Sequence, residues 1–149
     1  DEALASMLQS NKIALEAIRG FDISGCTDIT GFGLLGHAYE MMGKNSDNAL
    51  GIKIDYKAIP LFNGVCELFE KGYFASIAGK NQESLSSLLS ADVINQNFPA
   101  LFDPQTSGGL LFSVPPYQTE DCLQALYHNG VVKACVIGEV IDENKIIIL

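Results

Sequence analysis

The stretch TDITGFGLLGH, Thr27 to His37, sets an acid and two hydroxyls ahead of a glycine turn and an apolar run. Upstream, Phe21 to Ile29 is short, apolar and partly β-branched, which predicts a strand delivering Asp28 to its carboxyl end. Downstream, Leu34 to Met42 predicts a helix, with Gly43 placed just past its end. A strand, a glycine turn and a helix in that order suit a metal–nucleotide site. Asp28 can ligate a hard cation, Thr27 and Thr30 can donate to phosphate oxygens, and Gly31 and Gly33 let backbone N–H groups approach a polyanion. The start of the helix adds unpaired N–H groups and its positive dipole end. The same residue types also serve ordinary capping and turn formation, so the pattern alone leaves both uses open.

A second stretch, DPQTSGGLL from Asp103 to Leu111, repeats the grammar: an acid, the hydroxyls of Thr106 and Ser107, the pair Gly108 and Gly109, then an apolar strand. Pro104 rigidifies the entrance, and the glycine pair permits an approach that any Cβ would obstruct. Together the two strings resemble the C-terminal domain of selenide, water dikinases (selenophosphate synthetases), within the aminoimidazole ribonucleotide synthetase-like superfamily. The resemblance implies an α+β fold, a mixed, largely antiparallel sheet packed with helices. It implies that residues 1–149 are the single C-terminal domain of a larger enzyme, inactive alone. That enzyme makes selenophosphate from selenide, ATP and water with AMP and phosphate as co-products, uses Mg2+, and forms a homodimer. The nucleophile, a cysteine or selenocysteine near a lysine in a glycine-rich segment, would belong to the N-terminal ATP-binding domain, absent here. No catalytic residue is therefore assigned to this piece. Residue by residue, Asp28 matches the family's metal-binding aspartate. Thr27, Thr30, Gly31 and Gly33 match the turn around it, and Thr106, Ser107, Gly108 and Gly109 match the second nucleotide-side loop. For the second loop a structural role, closing against the first motif, is slightly favoured over direct phosphate contact. Lys80-Asn81 stands where the family tends to carry Arg-Asn, which replaces a bidentate phosphate binder with a point charge. His37 is read as a packing or surface histidine rather than a catalytic base. Two alternatives remain: another ATP-using synthetase or kinase of the same superfamily, or a non-catalytic binding or assembly module.

The 149 residues suit one domain, and 48% hydrophobic content is enough for a core. A net charge of −9 with a single arginine, Arg19, argues against nucleic acid as a partner. It also requires that triphosphate charge be neutralised by divalent cations or by residues elsewhere. Neither a secretory signal nor a membrane-length apolar run is legible, so a cytoplasmic location away from membranes is expected. Cys26, Cys66, Cys122 and Cys135 form no CxxC pair and lack zinc spacing, and the expectation is reduced, mostly buried thiols, Cys26 included.

The remaining pattern predicts one opening helix with a face of Leu4, Leu8, Leu15 and Ile18, ended by Gly20. It predicts a strand at Gly51 to Tyr56 and a helix from Pro60 to near Gly72. A short helix follows around Glu83 to Leu89, within a polar stretch from Ser76 to Asn97. After Leu110 to Val114, a strand stopped by Pro115 and Pro116, a helix capped by Thr119 runs to Asn129 and Gly130. Val131 to Ile141 and Lys145 to Leu149 read as a terminal hairpin.

Overall fold

The computed structural model describes residues 2–43, 50–89 and 99–149. Its elements are α1 (Glu2–Leu8), α2 (Lys12–Ile18), β1 (Gly25–Asp28), α3 (Gly33–Met41), β2 (Gly51–Ile54), α4 (Val65–Glu70), α5 (Ala78–Ser84), β3 (Leu110–Ser113), α6 (Thr119–His128), β4 (Gly138–Ile141) and β5 (Ile146–Ile148). This is an α+β architecture. The strands form two sheets: an antiparallel β1–β3 ribbon, and a mixed sheet ordered β4-β2-β5 in which β4 is antiparallel and β5 parallel to β2.

The ribbon stands between two apolar clusters, because successive side chains on a strand point to opposite faces. Leu111 packs with Ile29, Leu35, Ala38, Ile52, Ile54, Leu101, Phe102 and Ile146 in the main core. Its neighbours Leu110 and Phe112 pack instead against a smaller cluster of Ile18, Cys122 and Leu126, where α2 meets α6. On β2 the alternation buries Ile52 and Ile54 and leaves Lys53 half-buried, facing Glu139 directly across the β2–β4 ladder at 2.9 Å.

Several expectations are corrected. The opening helix is two helices, broken at residues 9–11, where Ser10 and Asn11 are weak helix formers whose side chains compete for the backbone. Its apolar face is not core: α1 has no buried residue, and of the four large residues named only Ile18 is enclosed. The terminal hairpin is absent, since β4 and β5 do not pair with each other but flank β2. The helix after Pro60 starts only at Val65, following Gly64 at φ +80°. The short helix expected near Glu83 lies earlier, at Ala78–Ser84, and part of the polar stretch at 76–97 falls outside the described residues. Thr119 is the first residue of α6 and Gln118 its N-cap, without a side-chain capping bond. Of the cysteines only Cys122 is buried; Cys26, Cys66 and Cys135 are exposed.

Candidate functional site: two loops at one end of the ribbon

Pairing of β1 with β3 puts Asp28 opposite Leu110, so the first motif leaves the ribbon at the point where the second enters it. The two loops then continue the ladder beyond the strands. Ile29 N–H donates to Gly109 O at 2.9 Å, Gly108 N–H to Ile29 O at 3.0 Å, and Gln105 N–H to Thr30 O at 3.0 Å. Asp28 is exposed at this end, Thr27 and Thr30 are half-buried, and Thr106 and Ser107 are exposed. Thr27 Oγ1 donates locally, to the Asp28 carbonyl at 3.2 Å.

The four glycines divide into two kinds. A Cβ on Gly33, at φ +71°, would stand 2.8 Å from the Phe102 carbonyl carbon and 3.0 Å from Asp103 O. One on Gly108 would stand 2.5 Å from Ile29 O. These two glycines let one loop backbone lie against the other. Gly31 and Gly109 face open space, with nothing within 4 Å of a built Cβ. The left-handed residue of the second loop is neither glycine but Ser107, at φ +56°.

Two asparagines tie the loops down. Asn81, buried on α5, donates from Nδ2 to Gly31 O and Phe102 O, both at 3.0 Å, and so ties the first motif to the residue that leads into the second. Asn11, at the break between α1 and α2, donates to Gly108 O at 3.0 Å. Neither asparagine stands out in the sequence, where Asn81 is notable only as the neighbour of Lys80, which is exposed. A carboxamide in a polar stretch carries no signal of a partner 50 or 97 residues away. His37 is not simply packed either: Nε2 lies 3.0 Å from Thr30 Oγ1, and the ring tilts against Phe32.

Partial burial pushes the Asp103 carboxyl above its ordinary value, against the lowering effect of a 2.8 Å hydrogen bond from Gln105 Nε2. The Cys26 thiol is pushed up by desolvation and by the charge of Asp28, which keeps it protonated and a poor nucleophile. Among the described residues no group of three or more His, Cys, Asp or Glu side chains is placed to hold a metal ion. No described helix is long and apolar enough to cross a membrane.

The site is thus an α+β domain's antiparallel ribbon that gathers two glycine-containing loops at one end, beside the exposed carboxylate of Asp28. The chain belongs to the family described as AIR synthase related protein, C-terminal domain, whose model matches residues 1–149. It is similar to a selenide, water dikinase of Clostridioides difficile (strain 630), 36% identical over 97% of this chain and 41% of the relative. It is likewise similar to selenide, water dikinase 2 of Peptoclostridium acidaminophilum, 34% identical over 100% of this chain and 43% of the relative. A selenide, water dikinase of Campylobacter jejuni is 37% identical over 99% of this chain and 42% of the relative. The chain thus spans about two fifths of the length of these curated relatives.

Proposed function

We propose that this chain is the C-terminal domain of a selenide, water dikinase and supplies one wall of its Mg2+–ATP site, with Asp28 as a magnesium ligand. The carrying observation is the β1–β3 pairing, which sets Asp28 and the Asp103–Gly109 loop at one end of one ribbon. The relatives' name, selenide, water dikinase, supports this reading; the reaction proposed with it is phosphorylation of selenide at the expense of ATP and water, giving selenophosphate, AMP and phosphate.

The residues fit one corner of such a site. Asp28 offers an exposed carboxylate, and Gly31 and Gly109 leave the backbone open to a polyanion. The bound ion would neutralise phosphate charge and polarise the phosphoryl oxygens. This chain's own part is to fix that carboxylate at a hydrogen-bonded strand end, where Ile29 and Gly109 lock the backbone. A net charge of −9 and a lone carboxylate require further ligands and cations from the rest of the enzyme. The nucleophile is assigned there too, and the domain alone is assigned no activity. Homodimerisation and a cytoplasmic location belong to the same reading.

Asp28→Asn in the full-length protein tests it, since the amide keeps the size and loses the anion. Selenophosphate formation should fall by about a hundredfold or more, partly restored by excess magnesium, with unfolding temperature unchanged. Near-normal activity at low magnesium would remove Asp28 from the metal site. An unfolded variant would reassign it to structure.

A further inference from the structure

His37 is 6% exposed, and its two ring nitrogens meet different partners. Nε2 lies 3.0 Å from Thr30 Oγ1, while Nδ1 lies 3.3 Å from Glu40 Oε2, one helical turn on. Nδ1 is enclosed and makes no aligned hydrogen bond. A bare nitrogen lone pair facing a carboxylate oxygen at that range is repulsive, whereas an N–H is drawn to the carboxylate charge even at a poor angle. This geometry favours the tautomer with its proton on Nδ1, which leaves Nε2 as an acceptor. Thr30 Oγ1 carries one proton, and in this arrangement it points at Nε2. The hydroxyl then has lone pairs and no hydrogen to give to anything else.

We infer that Glu40 and His37 are positioning residues that turn Thr30 into an acceptor. An acceptor hydroxyl at Thr30 would suit the cation side of the proposed site, where a metal-bound water could donate to it, rather than a phosphate oxygen. This reverses the donor role that the sequence suggests for Thr30, and it gives the buried histidine a task. A phosphate oxygen is itself only an acceptor and would be repelled by the lone pairs; the polarised hydrogens of a cation-bound water are attracted. The inference rests on the proposed magnesium role of Asp28, two residues earlier in the chain.

Two measurements on the full-length protein decide it. With 15N-histidine labelling and the His37 signals identified by their loss in His37→Gln, long-range proton–nitrogen correlations should report protonated Nδ1 and bare Nε2, without metal or nucleotide. A proton on Nε2 overturns the inference, because Thr30 would then be free to donate to phosphate. In the second, magnesium is titrated at fixed ATP. His37→Leu should raise the magnesium needed for half-maximal rate by about tenfold while leaving the KM for ATP at saturating magnesium unchanged. His37→Gln, whose amide oxygen can take the place of Nε2, should recover most of that shift. Equal loss of rate and of unfolding temperature in both variants, with no change in magnesium demand, marks a structural role and overturns it. If Asp28→Asn leaves the magnesium demand unchanged, the proposed site fails. If Asp28→Asn raises it and His37→Leu does not, this inference alone fails. Should His37→Leu not fold, the tautomer of the unaltered protein still decides.

Discussion

At the scale of single residues, the glycines of the two motifs separate packing from ligand approach. Gly33→Ala meets both a positive φ and backbone atoms of Phe102 and Asp103, and should cost about 1–3 kcal/mol in chemical denaturation. Gly108→Val meets Ile29 O and belongs to the same class, so its loss of nucleotide use would accompany a loss of stability. Gly31→Ala and Gly109→Ala enter open space and should leave unfolding within about 0.5 kcal/mol of the parent. Any fall in ATP use they cause would then report close approach of the ligand; a fall in stability of the Gly33 kind would mean that their backbones are needed for folding. Asp103 gives a pH dependence of definite sign. Burial raises its folded pKa above the ordinary carboxylate value, so the folded state holds the proton more tightly. Its contribution is fully present below the unfolded pKa and is lost as pH rises through the folded one. Asp103→Asn should flatten the stability profile over that acidic window, and an unchanged profile would remove Asp103 as its source.

At the scale of elements, the site depends on side chains that bridge between helices and loops. Asn81→Ala removes two buried hydrogen bonds and leaves the Gly31 and Phe102 carbonyls without this donor. A destabilisation of about 1–3 kcal/mol is expected in urea unfolding, with an effect on magnesium–ATP use larger than stability alone explains. Asn11→Ala should cost less, since one half-buried bond to Gly108 is lost. An Asn81 variant as stable as the parent would show that the ladder from Ile29 to Gly109 holds the loops without it. These elements were only partly legible in the sequence. The strand entering the first motif and the helix after it follow from local pattern, because Phe21 to Ile29 is largely apolar and partly β-branched and Leu34 to Met42 runs between glycines; the strand itself is shorter, Gly25–Asp28, and the helix is Gly33–Met41. The break between α1 and α2 was missed, because leucine spacing runs straight through it while Asn11 is engaged with a residue 97 positions away.

At the scale of the whole molecule, a chain of net charge −9 should not hold a polyanion by itself. Titration calorimetry of the 149-residue chain with magnesium–ATP should give weak binding or none. A Kd near 1 μM, about −8 kcal/mol, would reveal a self-contained site and favour an independent nucleotide-binding module. The partition of the core into two clusters on either side of the β1–β3 ribbon carries a related consequence. Leu111 and Phe112 are neighbours in sequence yet serve different clusters, so truncating either should loosen the ribbon that aligns the loops.

What the amino-acid order carried unaided was local and chemical. The two motif strings, their strand and helix neighbours and the acidic balance are properties of adjacent residues, and so is the likeness to one family. The long-range contacts were decided by folding. Pairing of β1 with β3 brings Asp28 beside a loop some eighty residues further on, and β2 takes the place between β4 and β5 that a hairpin reading would have closed. Strand partners are chosen by burial of whole faces, to which no short window of sequence is sensitive. The same holds for Asn11, Asn81 and His37. A side chain's hydrogen-bond partner is set by the position of distant backbone and hydroxyl groups, and those positions exist only once the chain has folded.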